Sequence, residues 1–393
     1  MLQPALIPTL KIAAPEPITH QYTRVSGAPF TAAEYFAGIG LVRMGLEREQ
    51  WQVVYANDWS EQKHEMYAGF FPESEHYTIA DIFTLNARHI VTSTLATCSF
   101  PCVDLSLAGN MGGIHGKHSS AFWGFIQTLK AQGANTPSLV LVENVTGWLT
   151  SNNGNDFRLT IQALNELGYA CDVFTLNALH FTPQSRPRVF AIGTKLWESA
   201  PASSYLTDRS SMLASATLRE AIARNHDLLW ISIDIPEPPP LLRSGLTTQI
   251  VERLHASDRR WWSEDETNRH LDMMTAEHRK RVIGLSRQPE DSYRTFFRRI
   301  RNGYQRVEVR PDDIAGCLRT ANGGSSKQAL VVAGNGQIRM RHMTSREYAR
   351  LQGVPDAYPI TADENQALTG FGDAVCVPAI SWIAHNVLSQ LIY

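Results

Sequence analysis

The chain predicts an α/β fold: a doubly wound, largely parallel sheet, joined by a second, smaller and irregular domain. Three observations predict it. Between residues 30 and 195, short apolar runs alternate with stretches of helical spacing, the pattern of consecutive βαβ units. From about Lys195 that alternation stops, prolines, arginines and aromatics mix without a period, and regularity returns only near Met340. The chain also has 393 residues, beyond the roughly 250–300 at which a single core stops growing. The expected divisions are an N-terminal extension (1–27), the first part of the α/β domain (28–197), the second domain (198–339) and a segment that completes the first domain (340–393).

Composition narrows the class. With 43% hydrophobic and 19% charged residues the chain reads as soluble and globular. No run suggests the ~18–20 apolar residues of a membrane span. Met1 to Pro17 lacks the basic start of a secretory signal, so a cytoplasmic protein is expected. The five cysteines (Cys98, Cys102, Cys171, Cys317, Cys376) are scattered and odd in number, which argues for a reducing compartment over a disulfide framework. Cys98 and Cys102 have no second pair at zinc spacing, so no metal is expected. Net charge is −2, yet basic residues dominate from Arg243 to Arg310, with Arg294, Arg298, Arg299, Arg301 and Arg306 close together. Such clustering marks a phosphate-backbone contact or a solvated surface, and charge alone does not choose between them.

Taken in order, Phe30 to Tyr35 reads as a strand that runs through a Gly38-x-Gly40 turn into the helical stretch Leu41–Glu47. The glycines permit positive φ and close approach of a ligand, although packing alone also uses such turns. A second strand, Trp51 to Ala56, ends at Asn57-Asp58-Trp59. An acidic residue at that strand end commonly binds ribose hydroxyls, and Trp59 offers a flat face for a base. Ala80-Asp81-Ile82 is the third candidate contact. The apolar run Ile90 to Leu95 reads as a buried strand leading to Phe100-Pro101-Cys102 and a Gly-rich loop. A cysteine beyond a strand's carboxyl end suits a nucleophile if its surroundings favour the thiolate; alone it could as well be a packed core residue.

Ser120–Gln132 reads as a helix and Pro137–Val142 as a buried strand ending in Glu143-Asn144-Val145. A carboxyl at such a place suits proton donation or helix capping. A helix (Phe157–Leu167) stopped by Gly168 and a strand (Tyr169–Asn177) lead to Gln184-Ser185-Arg186-Pro187-Arg188, whose arginines enter a strand in fixed directions. Ile235–Pro240 reads as a rigid polyproline spacer. Thr344 and Glu347 fit a capping box, and an apolar helix from Val377 to Ile392 is expected to pack on the first domain.

Five of these motifs, in this order, resemble those of DNA (cytosine-5) methyltransferases of the bacterial restriction–modification type: Phe36-Ala37-Gly38-Ile39-Gly40; Phe100-Pro101-Cys102; Glu143-Asn144-Val145; Gln184-Ser185-Arg186-Pro187-Arg188; and Arg346-Glu347 with Arg350-Leu351-Gln352-Gly353 and Pro355. The resemblance covers roughly residues 30–195 and 315–385. It implies a Rossmann-like, S-adenosylmethionine-dependent domain split by a target-recognition domain, which would methylate a flipped cytosine in double-stranded DNA and release S-adenosylhomocysteine. Carried over residue by residue, Cys102 attacks carbon 6, Glu143 contacts and protonates ring nitrogen 3 and contacts the exocyclic amine, Arg188 holds the carbonyl oxygen and Arg186 supports the site. Phe36, Gly38, Gly40, Asp58, Trp59, Asp81, Ile82 and Pro101 fall to the cofactor; Ser106, Arg298, Arg299, Arg301, Thr320, Gly323 and Gly324 fall to DNA. The resemblance further implies a monomer that protects DNA from a cognate restriction endonuclease without a stable complex. A branch of the family acts on tRNA, but the large basic insert favours duplex DNA, and intact Cys102, Glu143 and Arg188 argue against a non-catalytic binding module. Three positions depart from the pattern: Glu34 stands for the usual Asp, His118 for an Arg and Asp373 for an Asn.

Overall fold

A computed structural model of the chain describes residues 7–10, 30–101, 121–195, 202–203, 209–246, 249–301, 303–319, 327–360 and 362–392. A short strand, β1 (Ile7–Leu10), precedes the main domain. The domain then alternates as read from the sequence: β2 (Phe30–Tyr35), α1 (Leu41–Glu47), β3 (Trp51–Asp58), α2 (Glu61–Phe70), β4 (Tyr77–Ile79), β5 (Leu95–Cys98), α3 (Ala121–Gln132), β6 (Leu139–Val145), α4 (Asn155–Glu166), β7 (Tyr169–Asn177) and β8 (Pro187–Lys195). The main sheet has the order β4-β3-β2-β5-β6-β8-β7. Its strands from β2 to β6 are parallel, whereas β8 runs antiparallel between β6 and β7. Leu139 to Val142 are buried on both sheet faces, which is why β6 reads as an unbroken apolar run.

The register decides where function can sit. Tyr35 lies opposite Asn57 and Cys98, and Cys98 opposite Val142. The segments following β2, β3 and β5 and the end of β6 therefore share one edge. Because β8 runs the other way, its first residues reach that same edge, with Arg188 opposite Val145.

The insert is more regular than its sequence suggests. Its elements are β9 (Ala202–Ser203), α5 (Ala216–Arg224), β10 (Ser232–Ile233), α6 (Glu264–Asp272), α7 (Ala276–Ser286), β11 (Ser292–Arg301), β12 (Tyr304–Val309), β13 (Ala329–Gly334) and β14 (Gln337–His342). Residues 209–235 pack on the outer edge of the main sheet. Arg209 clamps the buried Asp172 of β7 at 2.6 and 2.7 Å, and Trp230 stacks on Phe157. Strands β12-β11-β13-β14 form a separate antiparallel sheet. A small core containing Leu271, Met274, Val282, Phe296 and Val307 joins one face of it to the α6–α7 region. Leu330 and Val332 of β13 instead belong to the main core, with Met343 and Tyr348.

Helices α8 (Ser345–Leu351), α9 (Glu364–Asp373) and α10 (Val377–Asn386) complete the main domain. The Thr344–Glu347 capping box is present. α10 packs on α1, where Ser381 donates to the Gly45 carbonyl at 3.0 Å.

Four sequence expectations change. The strand read over Ile90–Leu95 is Leu95–Cys98; Val91 is exposed and Thr94 instead bonds Thr31, so the earlier residues stay outside the sheet. Part of the extension 1–27 is a strand, β1, which pairs with β9 and β10. The proline-rich spacer is docked, since the Pro239 carbonyl meets His180 Nδ1 at 2.5 Å and Leu242 N–H donates to the Leu179 carbonyl. Finally, Glu364–Ile392 is long and apolar enough for a membrane span by composition. It is nevertheless divided into α9, α10 and a terminal 3-10 turn, with half its most apolar window buried.

Arg341 and Glu347 form a fully buried bidentate pair at 2.5 and 2.8 Å, and Glu347 also accepts from the Glu252 backbone N–H. Removing one partner strands the other charge. Arg341→Met should therefore cost about 3–5 kcal/mol, with Arg341→Met/Glu347→Gln recovering part of it. Urea unfolding midpoints check this; an unchanged midpoint for Arg341→Met would contradict it.

Candidate functional site

At the sheet edge the turn after β2 forms the first half of a crevice. Phe36 and Gly38 both have positive φ, 60° and 55°. A Cβ on Gly38 would find its nearest neighbour, Lys63 Cδ, at an ordinary 3.8 Å, so this glycine is required by its backbone and leaves space beside it. Gly40 differs. A Cβ there would meet Phe71 and Tyr67 ring atoms at 2.6 and 2.7 Å. Gly40 is thus also constrained by packing against α2, beside the ligand contact expected of it.

Asp58, at the end of β3, is buried and shapes the turn: its carboxylate oxygens accept from the N–H groups of Gly38 and Ser60, each at 3.0 Å. Trp59 beside it is 72% exposed, an indole face open to solvent. Asp81 is exposed and caps a short 3-10 turn by accepting from Phe83 N–H at 3.0 Å, while Ile82 is buried against α3. Lys63 of α2 pairs with Asp373 at 3.0 Å and brings the C-terminal segment to the crevice. Burial disfavours the Lys63 charge, but Asp373 and Asp58 outweigh it and hold its pKa above the ordinary value.

The second half lies between β6 and β8. Glu143 is buried at the strand end, and Arg188 Nε donates to its Oε1 at 3.0 Å. Asn144 donates to the Phe100 carbonyl at 3.2 Å, which ties the Phe100-Pro101 turn to the same place. The terminal nitrogens of Arg188 point to Cys317 Sγ at 3.8 Å. Arg186 reaches that sulfur at 3.4 Å and also donates to the carbonyls of Leu318, Gly372 and Ala374 at 3.0, 3.1 and 2.7 Å. Cys98 is fully buried and its pKa lies well above the ordinary thiol value because burial disfavours the thiolate, so it is a packing residue.

Cys102, Ser106, His118, Thr320, Gly323 and Gly324 lie outside the described residues. Of the three arginines assigned to DNA, strand alternation separates Arg298 from the others. Arg299 and Arg301 are exposed on one face of the β11–β12 hairpin, sharing Glu308 at 3.4 and 3.1 Å. Arg298 lies on the opposite face, where its charge acts on the buried His270 and on His342. Arg294 is half-buried near Asp312 and Asp313.

Sequence reading quoted Gln184 and Gln352 within motifs but gave them no role, and it missed the position of Cys317. Both glutamines are completely buried. Gln184 bonds the Leu351 carbonyl, Gln352 and the Leu318 N–H, and Gln352 bonds the Phe371 and Ala374 carbonyls. Each stands among polar and charged residues of its motif, so the sequence carried no signal of its burial.

Glu34, at the end of β2, is 1% exposed, and burial pushes its carboxyl up to about 8 despite the opposing charge of Arg43. The folded chain therefore holds a proton between about pH 4.5 and 8 that the unfolded chain has released, and stability falls as pH rises through that window. Glu34→Gln removes the effect and should gain on the order of 2–4 kcal/mol over wild type at pH 8 but little at pH 5. Denaturant titrations at the two pH values test it; a pH-independent difference would show that Glu34 stays ionised.

Comparison with known proteins agrees with this geometry. The model of the C-5 cytosine-specific DNA methylase family matches residues 30–389. Type II methyltransferase M.HhaI of Haemophilus parahaemolyticus is 26% identical over 364 residues, 91% of this chain and 94% of its own. M.HaeII of Haemophilus aegyptius is 25% identical over 363 residues, 92% and 94% of the two chains. Among solved structures, the Dnmt2 methyltransferase of S. pombe shares the fold with a TM-score of 0.57 at 17% identity, covering 93% of this chain and 99% of its own. Motifs, strand-edge geometry and a match over nearly the whole length converge: the chain belongs to the C-5 cytosine-specific DNA methylase family, enzymes that methylate cytosine in DNA with S-adenosylmethionine as donor.

Proposed function

We propose that this DNA cytosine-5 methyltransferase works through Cys102, Glu143, Arg186 and Arg188, on a cytosine turned out of a duplex that the insert reads. The observation that carries the proposal is the buried Glu143–Arg188 pair at 3.0 Å, at the edge where β6 ends and β8 begins.

Carbon 5 of cytosine is a poor nucleophile. Addition of the Cys102 thiolate to carbon 6, with ring nitrogen 3 protonated, turns the ring into an enamine whose carbon 5 is nucleophilic. Glu143 is assigned to nitrogen 3 and the exocyclic amine. Arg188 holds that carboxylate through Nε; its terminal nitrogens, of which Nη1 donates to the Pro187 carbonyl at 2.9 Å, are assigned to the ring carbonyl. Removal of the carbon 5 proton then expels the thiol. Flipping the base costs a few kcal/mol, and the Gly-rich loop after Cys102 is assigned to closing over it.

The crevice fits the donor. Trp59 presents an open indole face, Gly38 leaves space, and each oxygen of Asp58 keeps a further lone pair for a ribose hydroxyl. Phe36, Gly40, Asp81, Ile82 and Pro101 complete the assigned set. S-adenosylmethionine, when bound, supplies an electrophilic methyl group.

Target recognition is assigned to the insert, 198–339, between the two parts of the catalytic domain, 28–197 and 340–393. The exposed Arg299 and Arg301 support phosphate contact, together with Ser106, Thr320, Gly323 and Gly324. Arg298 is left out of that set by its position on the other strand face. The relatives named Type II methyltransferases favour a role beside a restriction endonuclease of the same specificity; the enzyme is proposed to act as a monomer on cytoplasmic DNA.

A fluorine at carbon 5 cannot leave as a proton, so the methylated adduct stays covalent. A duplex with 5-fluorocytosine at the target, incubated with S-adenosylmethionine, should give a complex that survives hot detergent, is abolished by Cys102→Ser and persists in Cys98→Ser. An adduct in Cys102→Ser, or one mapping to Cys98, would sink the assignment. Separately, Arg299→Ala/Arg301→Ala should weaken binding to all duplexes and lower the slope of log affinity against log salt by about 2. Loss confined to the cognate site would mean that these residues read bases.

A further inference from the structure

The space beside Gly38 has a wall that the catalytic scheme does not use. Its nearest atom is Lys63 Cδ, 3.8 Å from where a Gly38 Cβ would stand. Lys63 sits in the first turn of α2, where its backbone N–H donates to the capping Ser60 hydroxyl at 3.3 Å. Ser60 gives its own N–H to one oxygen of Asp58, and the other oxygen takes the Gly38 N–H. One carboxylate thus ties the glycine turn to the start of α2, and Lys63 has a set bearing on both Gly38 and Asp58.

At the end of the side chain, Lys63 Nζ donates to Asp373 Oδ2 at 3.0 Å. The two side chains are 24% and 34% exposed, so the pair opens to solvent. An ammonium carries three donors, and the bond to Asp373 uses one of them. Asp373 and Asp58 keep that ammonium charged against the cost of burial. As a fastener the pair adds little, because open ion pairs contribute little to stability. The end of α9 is in any case held by Arg186 through the Gly372 and Ala374 carbonyls. Fastening alone does not account for a cation placed beside the glycine turn.

S-adenosylmethionine ends in an amino acid, with an α-carboxylate and an α-ammonium on one carbon. A lone cation or anion in the protein would attract one of these groups and repel the other. An ion pair offers both signs side by side. We propose that Lys63 and Asp373 bind the methionine end of the cofactor, Lys63 taking the carboxylate and Asp373 the ammonium. The acid that replaces the family's amide and the lysine on α2 are then one binding element. The inference rests on the assignment of the crevice at Gly38, Asp58 and Trp59 to the donor.

Calorimetric titration of the whole protein with a graded set of ligands tests it. S-adenosylhomocysteine carries both charges, its decarboxylated aminopropyl analogue only the ammonium, and 5′-methylthioadenosine neither. Lys63→Met should weaken S-adenosylhomocysteine binding about 10–30-fold and should not weaken the other two. Asp373→Asn should weaken both amine-bearing ligands and spare 5′-methylthioadenosine. Lys63→Arg keeps the charge and should recover most of the Met loss. Intact 5′-methylthioadenosine binding shows in each variant that the crevice is folded. The inference is overturned if Lys63→Met binds S-adenosylhomocysteine as wild type does, or if Asp373→Asn spares the amine-bearing ligands. It is equally overturned if all the ligands weaken by one common factor, because the pair would then only shape the crevice. Asp58→Ala separates the two readings. Unchanged binding of every ligand in that variant removes the crevice assignment. Weakened binding of every ligand there, beside a wild-type-like Lys63→Met, removes only the inference.

Discussion

Arg186 donates to the carbonyls of Leu318, Gly372 and Ala374 and to the sulfur of Cys317. One buried cation thus joins the entry to β8, the chain returning from the insert and the end of α9. A guanidinium offers donors in a fixed fork, so these carbonyls have little freedom around it. Gln184 and Gln352 repeat the arrangement one layer deeper, joining the same segments through buried amides. Replacing such a cation exposes several carbonyls to desolvation at once. The site between Glu143 and Cys317 exists because this knot holds distant parts of the chain in register.

That dependence explains what could be read from the sequence. Local patterns survived: β7 spans Tyr169–Asn177 as expected, Gly168 at φ 86° ends the preceding helix, and Thr344 and Glu347 form their box. Each rests on neighbours a few residues apart. Glu143 and Arg188 were legible because their motifs end or begin a strand, and strand ends gather at one edge. The place of Cys317 beside the site was not legible, since its contacts are two arginines far away in sequence. The start of β5 was misplaced because the β-branched residues Ile90, Val91 and Thr92 look like the start of a strand, whereas pairing with β2 begins only where Thr94 bonds Thr31.

The insert was hard to read for another reason. β11 carries arginines at Arg294, Arg298, Arg299 and Arg301 within a single strand, so apolar and polar residues do not alternate cleanly. The face is set instead by cross-strand partners: Arg299 opposes Arg306, and Phe297 opposes Glu308. On that face Arg299 and Arg319 both lie near the Phe297 ring, at 5.9 and 5.3 Å. Gly316 packs so closely on Phe297 that a Cβ would approach within 2.5 Å. The cationic strand face and the Cys317 segment are therefore one rigid surface, which gives a basic hairpin a defined bearing on the catalytic edge.

The cofactor crevice shows the same logic applied to charge. Glu34, Asp58 and Asp373 gather near one another, an arrangement that would repel if all were ionised and unpaired. Burial keeps a proton on Glu34 around neutral pH, Asp58 spends its oxygens on the Gly38 and Ser60 amides, and Asp373 takes Lys63. The acid that stands where the family has an amide is thus matched by a cation on α2. The pair is partly open to solvent, with side-chain exposures of 24% and 34%, so its worth in stability is small, about 0–1 kcal/mol. Its effect is one of position. It holds the end of α9 against α2, the same end whose carbonyls Arg186 holds from the other side. The two halves of the site are fastened to each other through the C-terminal segment, one by a buried guanidinium and one by a surface ammonium.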